Sequence, residues 1–492
     1  MAAGRPLVPA AIGVAVGVLL VGLGLPSLIE AETASVPVDD SATVARATAD
    51  GRVTPPGEVS SQGAAPVEGG QPGSPGAADG APSRSPPPGE ASGAARPDDT
   101  SQPLTLGFVL FDIGAVSRVG VSVPNFSPEE QRAVYQVFVD DLNERGGVQG
   151  RRVEAVYSTY NVLDTNDMRA SCLELTEDHH VFAVLDPTGA FYGPPVLCVT
   201  EEHQTPFLST GSTAFTDEMF NRSGGRLFTI LQRGSRILAN QAVLLAETNA
   251  LTPSARIGIL NDTRSGNSET VQAGLIDTLE QLGREVAVRA QLAPDNATSA
   301  SQMPVFVQQM RQANVDAVFL AVGTLNAAQF VQSAENQMYR PRYYSSDWFA
   351  GSGDNWAQNM PASFDGNVAV TATRTGEWRV NQPEPAKEAS CRTVYETRTK
   401  TRIPRGETTY GLATNACNLL GLLEAGAASS SPMTVESFTA GVARLGRVQL
   451  ANVAAASFQP SKHDAADEIR MLRWEAGCKC WKPSSQFRPS RF

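Results

Sequence analysis

Signatures of covalent chemistry are missing from this chain. It has no Gly-x-Ser-x-Gly elbow, no His-Glu-x-x-His pair and no glycine-rich phosphate loop, which removes the commonest hydrolase, zinc-protease and nucleotide-binding readings. Histidine occurs four times, and lysine is far outnumbered by arginine. The net charge of −12 is spread without any basic block, so the electrostatic footprint of a nucleic-acid binder is absent. Aromatic and long aliphatic side chains are nearly absent from Glu32 to Gln102. That Pro-, Gly-, Ala- and Ser-rich stretch cannot bury enough apolar area to offset its ordering entropy, and it reads as a disordered tether of roughly 200 Å if mostly extended.

One long hydrophobic run precedes the tether. Leu7–Ile29 follows Arg5 and carries almost no charge, with close to the ~20 residues that span a bilayer. Ile29-Glu30-Ala31 is a poor cleavage site, so an uncleaved signal anchor is favoured over a cleaved signal peptide, with the bulk of the chain outside. The protein is then extracytoplasmic and tethered to the membrane, or secreted if the segment is removed. Six cysteines, an even number, fit disulfides in an oxidising compartment.

From Leu104 the composition changes to alternating short apolar runs and helical patterns. Leu104–Phe111 reads as a buried strand, and Ser127-Pro128-Glu129-Glu130 as a capping-box helix start. Val134, Val137, Phe138 and Leu142 continue at helical spacing to a stop at Gly146-Gly147. Strands at 153–159, 181–185, 206–208 and 226–231 alternate with helices at 168–177, 194–202 and 237–247. A second series places strands at 255–260, 285–290, 316–322, 342–346 and 368–373, with helices at 269–282, 305–312 and 326–337. Helices at 384–398, 408–424 and 434–445, a strand at 448–458 and a hairpin-like end at 469–474 close the chain. Two βα series in succession point to an α/β fold of two doubly wound parallel-sheet lobes.

The segment Asn143-Glu144-Arg145-Gly146-Gly147-Val148-Gln149-Gly150 resembles the Asn-x-x-Gly-Gly-(Val/Ile)-x-Gly turn after the first helix of the Leu/Ile/Val-type, or type I, periplasmic solute-binding proteins. Phe458-Gln459-Pro460-Ser461-Lys462-His463 resembles that family's Phe-x-Pro-x-x-His segment near its end. The resemblance covers about 104–481. It implies a clamshell whose chain crosses between lobes near Thr229–Arg233, Val370–Arg374 and Leu445–Leu450. Lobe 1 would comprise 104–228 plus 374–445, and lobe 2 229–373 plus 446–482, with 1–31 as anchor, 32–103 as tether and 483–492 as tail. It also implies hand-over of a small ligand to a membrane ABC permease, with no cofactor and no metal.

Ligands of open α/β sheets lie beyond the carboxyl ends of the strands. Thr188, Gly189 and Ala190 follow the third strand, and Ser209, Ser212 and Thr213 follow the fourth. Their hydroxyls and N–H groups suit a carboxylate, although capping of the next helices explains them equally well. In amino-acid-binding members of the family these turns hold the α-carboxylate, and a second-lobe acid meets the ammonium. Asp347 is the candidate for that acid, with Trp348 as an apolar wall and Phe191 and Tyr192 shaping a side-chain pocket. Arg233 and Arg264 point instead to a second carboxylate. An amino acid, an amide and a small organic acid all remain open as ligands. A sensor without a transport partner is the alternative reading, and a hydrolytic enzyme ranks third.

In a right-handed sheet ordered 2-1-3, Cys172 and Cys198 sit on helices of the same face, which makes them the first pairing. Cys391 and Cys417, on consecutive helices, are the second. Each closes a loop of about 26 residues, worth on the order of 3 kcal/mol in the chain-entropy model. Cys478 and Cys480 are left as a small ring, a reducible pair or two thiols, and fifteen connectivities remain formally possible.

Overall fold

Strand β1 (Leu104–Asp112) opens the first lobe. The structure, a computed structural model, describes residues 102–112, 114, 126–211, 215–264 and 266–492. The Leu7–Ile29 segment, nearly all of the tether, and Ser212 and Thr213 lie outside the described residues. Helix α1 (Pro128–Glu144) begins with the expected capping box. The Ser127 hydroxyl accepts from Glu130 N–H at 3.2 Å, and the Glu130 carboxylate accepts from Ser127 N–H at 2.7 Å. Asn143 explains the turn that follows. Its amide brackets the first residue of β2 (Val153–Asn161), donating to Val153 O at 2.9 Å and accepting from Val153 N–H at 2.7 Å.

Strands β3 (Ala183–Asp186), β4 (Phe207–Ser209) and β5 (Leu227–Thr229) complete a parallel sheet in the order β2-β1-β3-β4-β5. Helices α2 (Thr165–Leu173), α3 (Pro194–Leu197) and α4 (Asp217–Arg222) contribute to a core on one face, where Tyr160, Met168, Val184, Phe191 and Phe207 are buried together. The Cys172–Cys198 bridge lies in that core, with both cysteines fully buried.

After β5 the chain crosses to the second lobe through α5 (Gly234–Glu247). Parallel strands β6 (Ile257–Asp262), β7 (Val286–Leu292), β8 (Ala317–Ala321), β9 (Arg342–Ser346) and β10 (Val368–Thr371) alternate with a helical run α6 (267–281), α7 (Asn296–Gln312) and α8 (Thr324–Asn336). Helix α7 begins nine residues before the position expected from the sequence and runs through Pro304. Asp295 caps it, accepting from Thr298 N–H at 2.8 Å. Burial of Met303, Val307 and Met310 in the lobe core outweighs the ~3 kcal/mol that an interior proline costs.

The chain then returns to pack α9 (Ala386–Thr399), α10 (Thr408–Ala428) and α11 (Val435–Ala443) on the first lobe, with Cys391 bonded to Cys417. The stretch read as one strand at 448–458 is a short antiparallel pair instead, β11 (Gly446–Val448) with β12 (Ala456–Phe458). The intervening loop is drawn into the hinge, where Ala451 N–H donates to Asn418 Oδ1 at 2.7 Å and Asn452 N–H to Glu388 Oε1 at 3.1 Å. Strand β13 (Glu468–Glu475) enters the second sheet antiparallel to β10, and β14 (Cys480–Pro483) pairs with β13 as a hairpin. The last strand, β15 (Arg488–Pro489), returns to Glu468–Ile469.

Three connections therefore join the lobes, and they touch one another. Thr229 bridges Asp464, and Thr373 bridges Val453. Glu377, nearly fully buried, accepts from Arg374, Arg405 and Arg470, an ionic knot that ties the second connection to the α9–α10 loop and β13. His463 stacks on Phe228 with ring centroids 4.5 Å apart, and Phe458 meets the same ring edge-on. The Phe-x-Pro-x-x-His segment thus packs against the end of the first sheet.

Candidate functional site

The turn after β3 is built around Asp186, whose side chain is buried at the strand's carboxyl end. Its carboxylate accepts from Thr188 Oγ1, Gly189 N–H and Ser209 Oγ, each at 2.9 Å, and from Phe191 N–H at 3.3 Å. Burial pushes its pKa up to about 6, against the pull of those four donors. Ala190 N–H donates to Thr188 Oγ1 at 3.4 Å, and Gly211 N–H to Ser209 Oγ at 3.0 Å. Thr188, Gly189, Ala190 and Ser209 are thus brought together around Asp186 at the carboxyl ends of β3 and β4. The sequence signal for Asp186 is an acid between a buried run and a Pro-Thr-Gly turn, and it is absent from the candidates read from the sequence.

Asp347 follows β9 on the opposite lobe and is 5% exposed. It accepts from Ser352 Oγ at 2.5 Å, Thr371 Oγ1 at 2.6 Å and Ala372 N–H at 2.7 Å, and burial raises its pKa. Its carboxylate is directed into the second connection. Trp348 is also buried, with its indole N–H on Ala321 O at 3.2 Å and its ring over Gly234. Asp347 thus turns inward and Trp348 packs over the crossing helix, so the direct contact between the lobes lies elsewhere.

That contact is made by neighbours. Tyr192, from the turn after β3, meets Phe349 edge to face with centroids 6.2 Å apart. The Arg264 guanidinium, from the turn after β6, lies 4.9 Å from the Phe349 ring centre and 5.9 Å from that of Tyr192. Burial alone would lower the Arg264 pKa, but Asp262 at 2.5 Å holds it above the usual value. Asp262 is itself buried and takes Asn267 Nδ2 at 2.6 Å. Phe349 was missed in the sequence because Trp348, the larger ring beside it, drew the assignment. Its φ is +51°, a conformation uncommon for a bulky residue, and its ring is buried against Trp348 as well as Tyr192.

Beside this cluster a cavity of about 660 Å³ separates Asp217 and Glu218 of the first lobe from Thr263, Arg264, Gly266, Ser268 and Glu269 of the second. The volume lies in the range of small-molecule sites. Asp217 reaches Arg233 at 3.4 Å and Glu218 reaches Arg222 at 2.9 Å, so part of the acidic charge at the rim is compensated. A cavity of about 490 Å³ on the hinge side is lined by Arg233, Arg236 and Lys462. Their charges are committed to Asp217, Asp464 and Asp467, which makes it a structural seam.

Among the described residues, the only grouping with metal-ligand geometry is Cys172, Cys198 and His203. Its two sulfurs are joined to each other and offer no thiolate.

Two doubly wound lobes, three crossings and facing strand-end turns define a clamshell binding protein. Residues 115–479 match the family model of the periplasmic binding proteins, and the chain belongs to that family. Solved structures with the same fold include a fatty acid ABC transporter substrate-binding protein from Thermomonospora curvata, 16% identical, with a TM-score of 0.58 over 79% of this chain and 93% of that one. A solute-binding protein from Rhodopseudomonas palustris in complex with 3,4-dihydroxybenzoic acid is 12% identical, with a TM-score of 0.57 over 79% and 97%. An ABC transporter substrate-binding protein from Desulfitobacterium hafniense in complex with Leu is 13% identical, with a TM-score of 0.55 over 78% and 100%. This protein is a solute-binding protein of the type I periplasmic class, a class that captures ligands and catalyses no reaction.

Proposed function

We propose that the protein captures a small carboxylate-bearing ligand, an amino acid or small organic acid, between its lobes and delivers it to a membrane ABC permease. The observation that carries the ligand class is the charge left at the jaws. Asp186 and Asp347, the acids at the strand ends, are buried and engaged by internal donors, whereas Arg264, paired on one side with Asp262, presents its guanidinium at the contact between lobes beside the cavity. In this reading Thr188, Gly189, Ala190, Ser209, Ser212 and Thr213 form the first-lobe jaw, and Arg264, Tyr192 and Phe349 form the second contact surface. Asp347 and Trp348 brace the second jaw from beneath. The Leu7–Ile29 segment and its tether would hold the protein near its permease.

Ligand acts by binding the closed arrangement better than the open one. A thermal-shift screen of amino acids, amides and small organic acids tests the reading. A ligand at about 100 times its Kd adds about 2.7 kcal/mol of stability. The shift should appear with acids and amino acids, be weaker with the matching amides, and vanish in Arg264→Gln. A panel that leaves the melting temperature unchanged would remove the solute-capture claim.

A further inference from the structure

Two of the three disulfides join helices across 26 residues of sequence, and Cys172, Cys198 and Cys391 are fully buried. The third, Cys478–Cys480, spans a separation of 2 at the tip of the β13–β14 hairpin. We infer that this third bridge is a redox-active site that exchanges with an external dithiol through Cys478, the exposed residue of the pair.

Cys478–Cys480 has little to staple. The β13–β14 ladder already sets the register, from Leu472 opposite Pro483 to Glu475 opposite Cys480. Trp481 anchors the same strand independently, donating its N–H to Asp354 Oδ1 at 2.9 Å and accepting from Arg379 Nη1 at 3.0 Å. A ring this small removes little freedom from the unfolded chain, since the loop-closure contribution grows with loop length. Lys479, between the two cysteines, has φ +50°, in the left-handed region that disfavours side-chain-bearing residues. Strained or exposed bridges are the ones with the more oxidising potentials.

Access is one-sided. Cys478 is exposed on the turn, whereas Cys480 is 4% exposed beneath it beside Trp481. Lys479 stands between the two sulfurs in sequence and makes no ion pair among the described residues, while Lys482 is held by Glu475.

The exchange runs in two steps. One thiolate of the dithiol attacks Cys478 Sγ, the Sγ–Sγ bond breaks, and Cys480 leaves as a thiolate that takes a proton from water. The second thiolate of the dithiol then attacks its own mixed-disulfide sulfur and releases Cys478. The dithiol becomes a disulfide, and the hairpin has gained two electrons and two protons.

The test is a dithiothreitol titration of the full-length protein, with alkylation of the free thiols and peptide mass mapping at each point. Cys478 and Cys480 should become alkylated at dithiol concentrations at least about tenfold below those that open either helix bridge, equivalent to about 30 mV for a two-electron couple. The cooperative thermal transition should survive that first reduction. Opening of the three bridges together, or of this one last, overturns the inference. So does loss of the folded transition when this bridge alone is reduced, because the bridge would then be a staple. In single variants, Cys480→Ser should form a mixed disulfide with oxidised glutathione at Cys478 about tenfold faster than Cys478→Ser does at Cys480. Equal or reversed rates would overturn entry through Cys478.

Discussion

Tyr192 of the first lobe meets Phe349 of the second edge to face, at 6.2 Å between ring centres, with the Arg264 guanidinium against both. A pair of this geometry contributes about 0.5–1.5 kcal/mol beyond its buried area, and here that energy favours closure. Tyr192→Ala is expected to weaken ligand binding about three- to tenfold in calorimetry while leaving the unliganded melting temperature close to wild type. A large loss of unliganded stability would assign the pair to the fold instead.

Gly266 lies at the rim of the cleft with φ +76°, and a Cβ there would stand 2.9 Å from Thr216 Oγ1 and 3.2 Å from Glu218 Oε2, both on the other lobe. Gly283 has a similar φ of +68° with nothing near its Cβ position. Both alanine variants pay for the left-handed backbone, roughly 1 kcal/mol. Only Gly266→Ala should prop the lobes apart, seen as a larger radius of gyration in solution scattering and weaker ligand binding. Identical behaviour of the two variants would show that the contact at Gly266 does not limit closure.

Asp186 keeps its proton to about pH 6 in the folded chain, whereas an exposed aspartic acid releases it near 4. Between those values the folded state binds more protons than the unfolded state, so this group makes stability fall as pH rises. The loss is on the order of 2–3 kcal/mol across that window. Urea unfolding at pH 4 and pH 7 should show a smaller decline with rising pH in Asp186→Asn than in wild type. Parallel pH dependence in the two proteins would contradict the buried, protonatable state of this carboxyl group.

Asp347 accepts three internal hydrogen bonds that tie the β9 turn to the second connection. Asp347→Asn is expected to lower stability by about 1–3 kcal/mol, the usual cost of leaving a buried donor without its acceptor. Relative affinities among candidate ligands should stay unchanged. If the variant keeps its stability and instead loses amino acids while retaining simple acids, the residue meets the ligand's ammonium directly.

Much of the fold was legible because its signals are local. Ser127, Pro128 and Glu130 cap a helix with their own side chains, and the period of apolar residues separates strand from helix at almost every element. The exceptions share a cause. Pro304 reads as a helix break, yet packing of Met303, Val307 and Met310 carries α7 through it. The apolar 448–458 run reads as one strand, yet Asn418 and Glu388, distant in sequence, draw Ala451 and Asn452 out of it.

The candidate site divides in the same way. Strand ends and their hydroxyl-rich turns are written in consecutive residues, so the positions of Thr188, Gly189, Ala190 and Ser209 at the carboxyl ends of β3 and β4 were legible. Which side chains face across that cleft depends on φ angles and on donors far away in the chain. Thr371 and Ala372 turn Asp347 inward, and the left-handed backbone at Phe349 turns its ring toward Tyr192. The sequence by itself determined two βα lobes and their turns, because short-range patterning dictates each, whereas the Cys172–Cys198 pairing it favoured rested on an expected strand order that the structure supplied. The tertiary structure decided that Asp347 turns inward while Arg264 lies against two aromatic rings where the lobes meet, because buried charges are assigned by whichever partners the fold brings within reach.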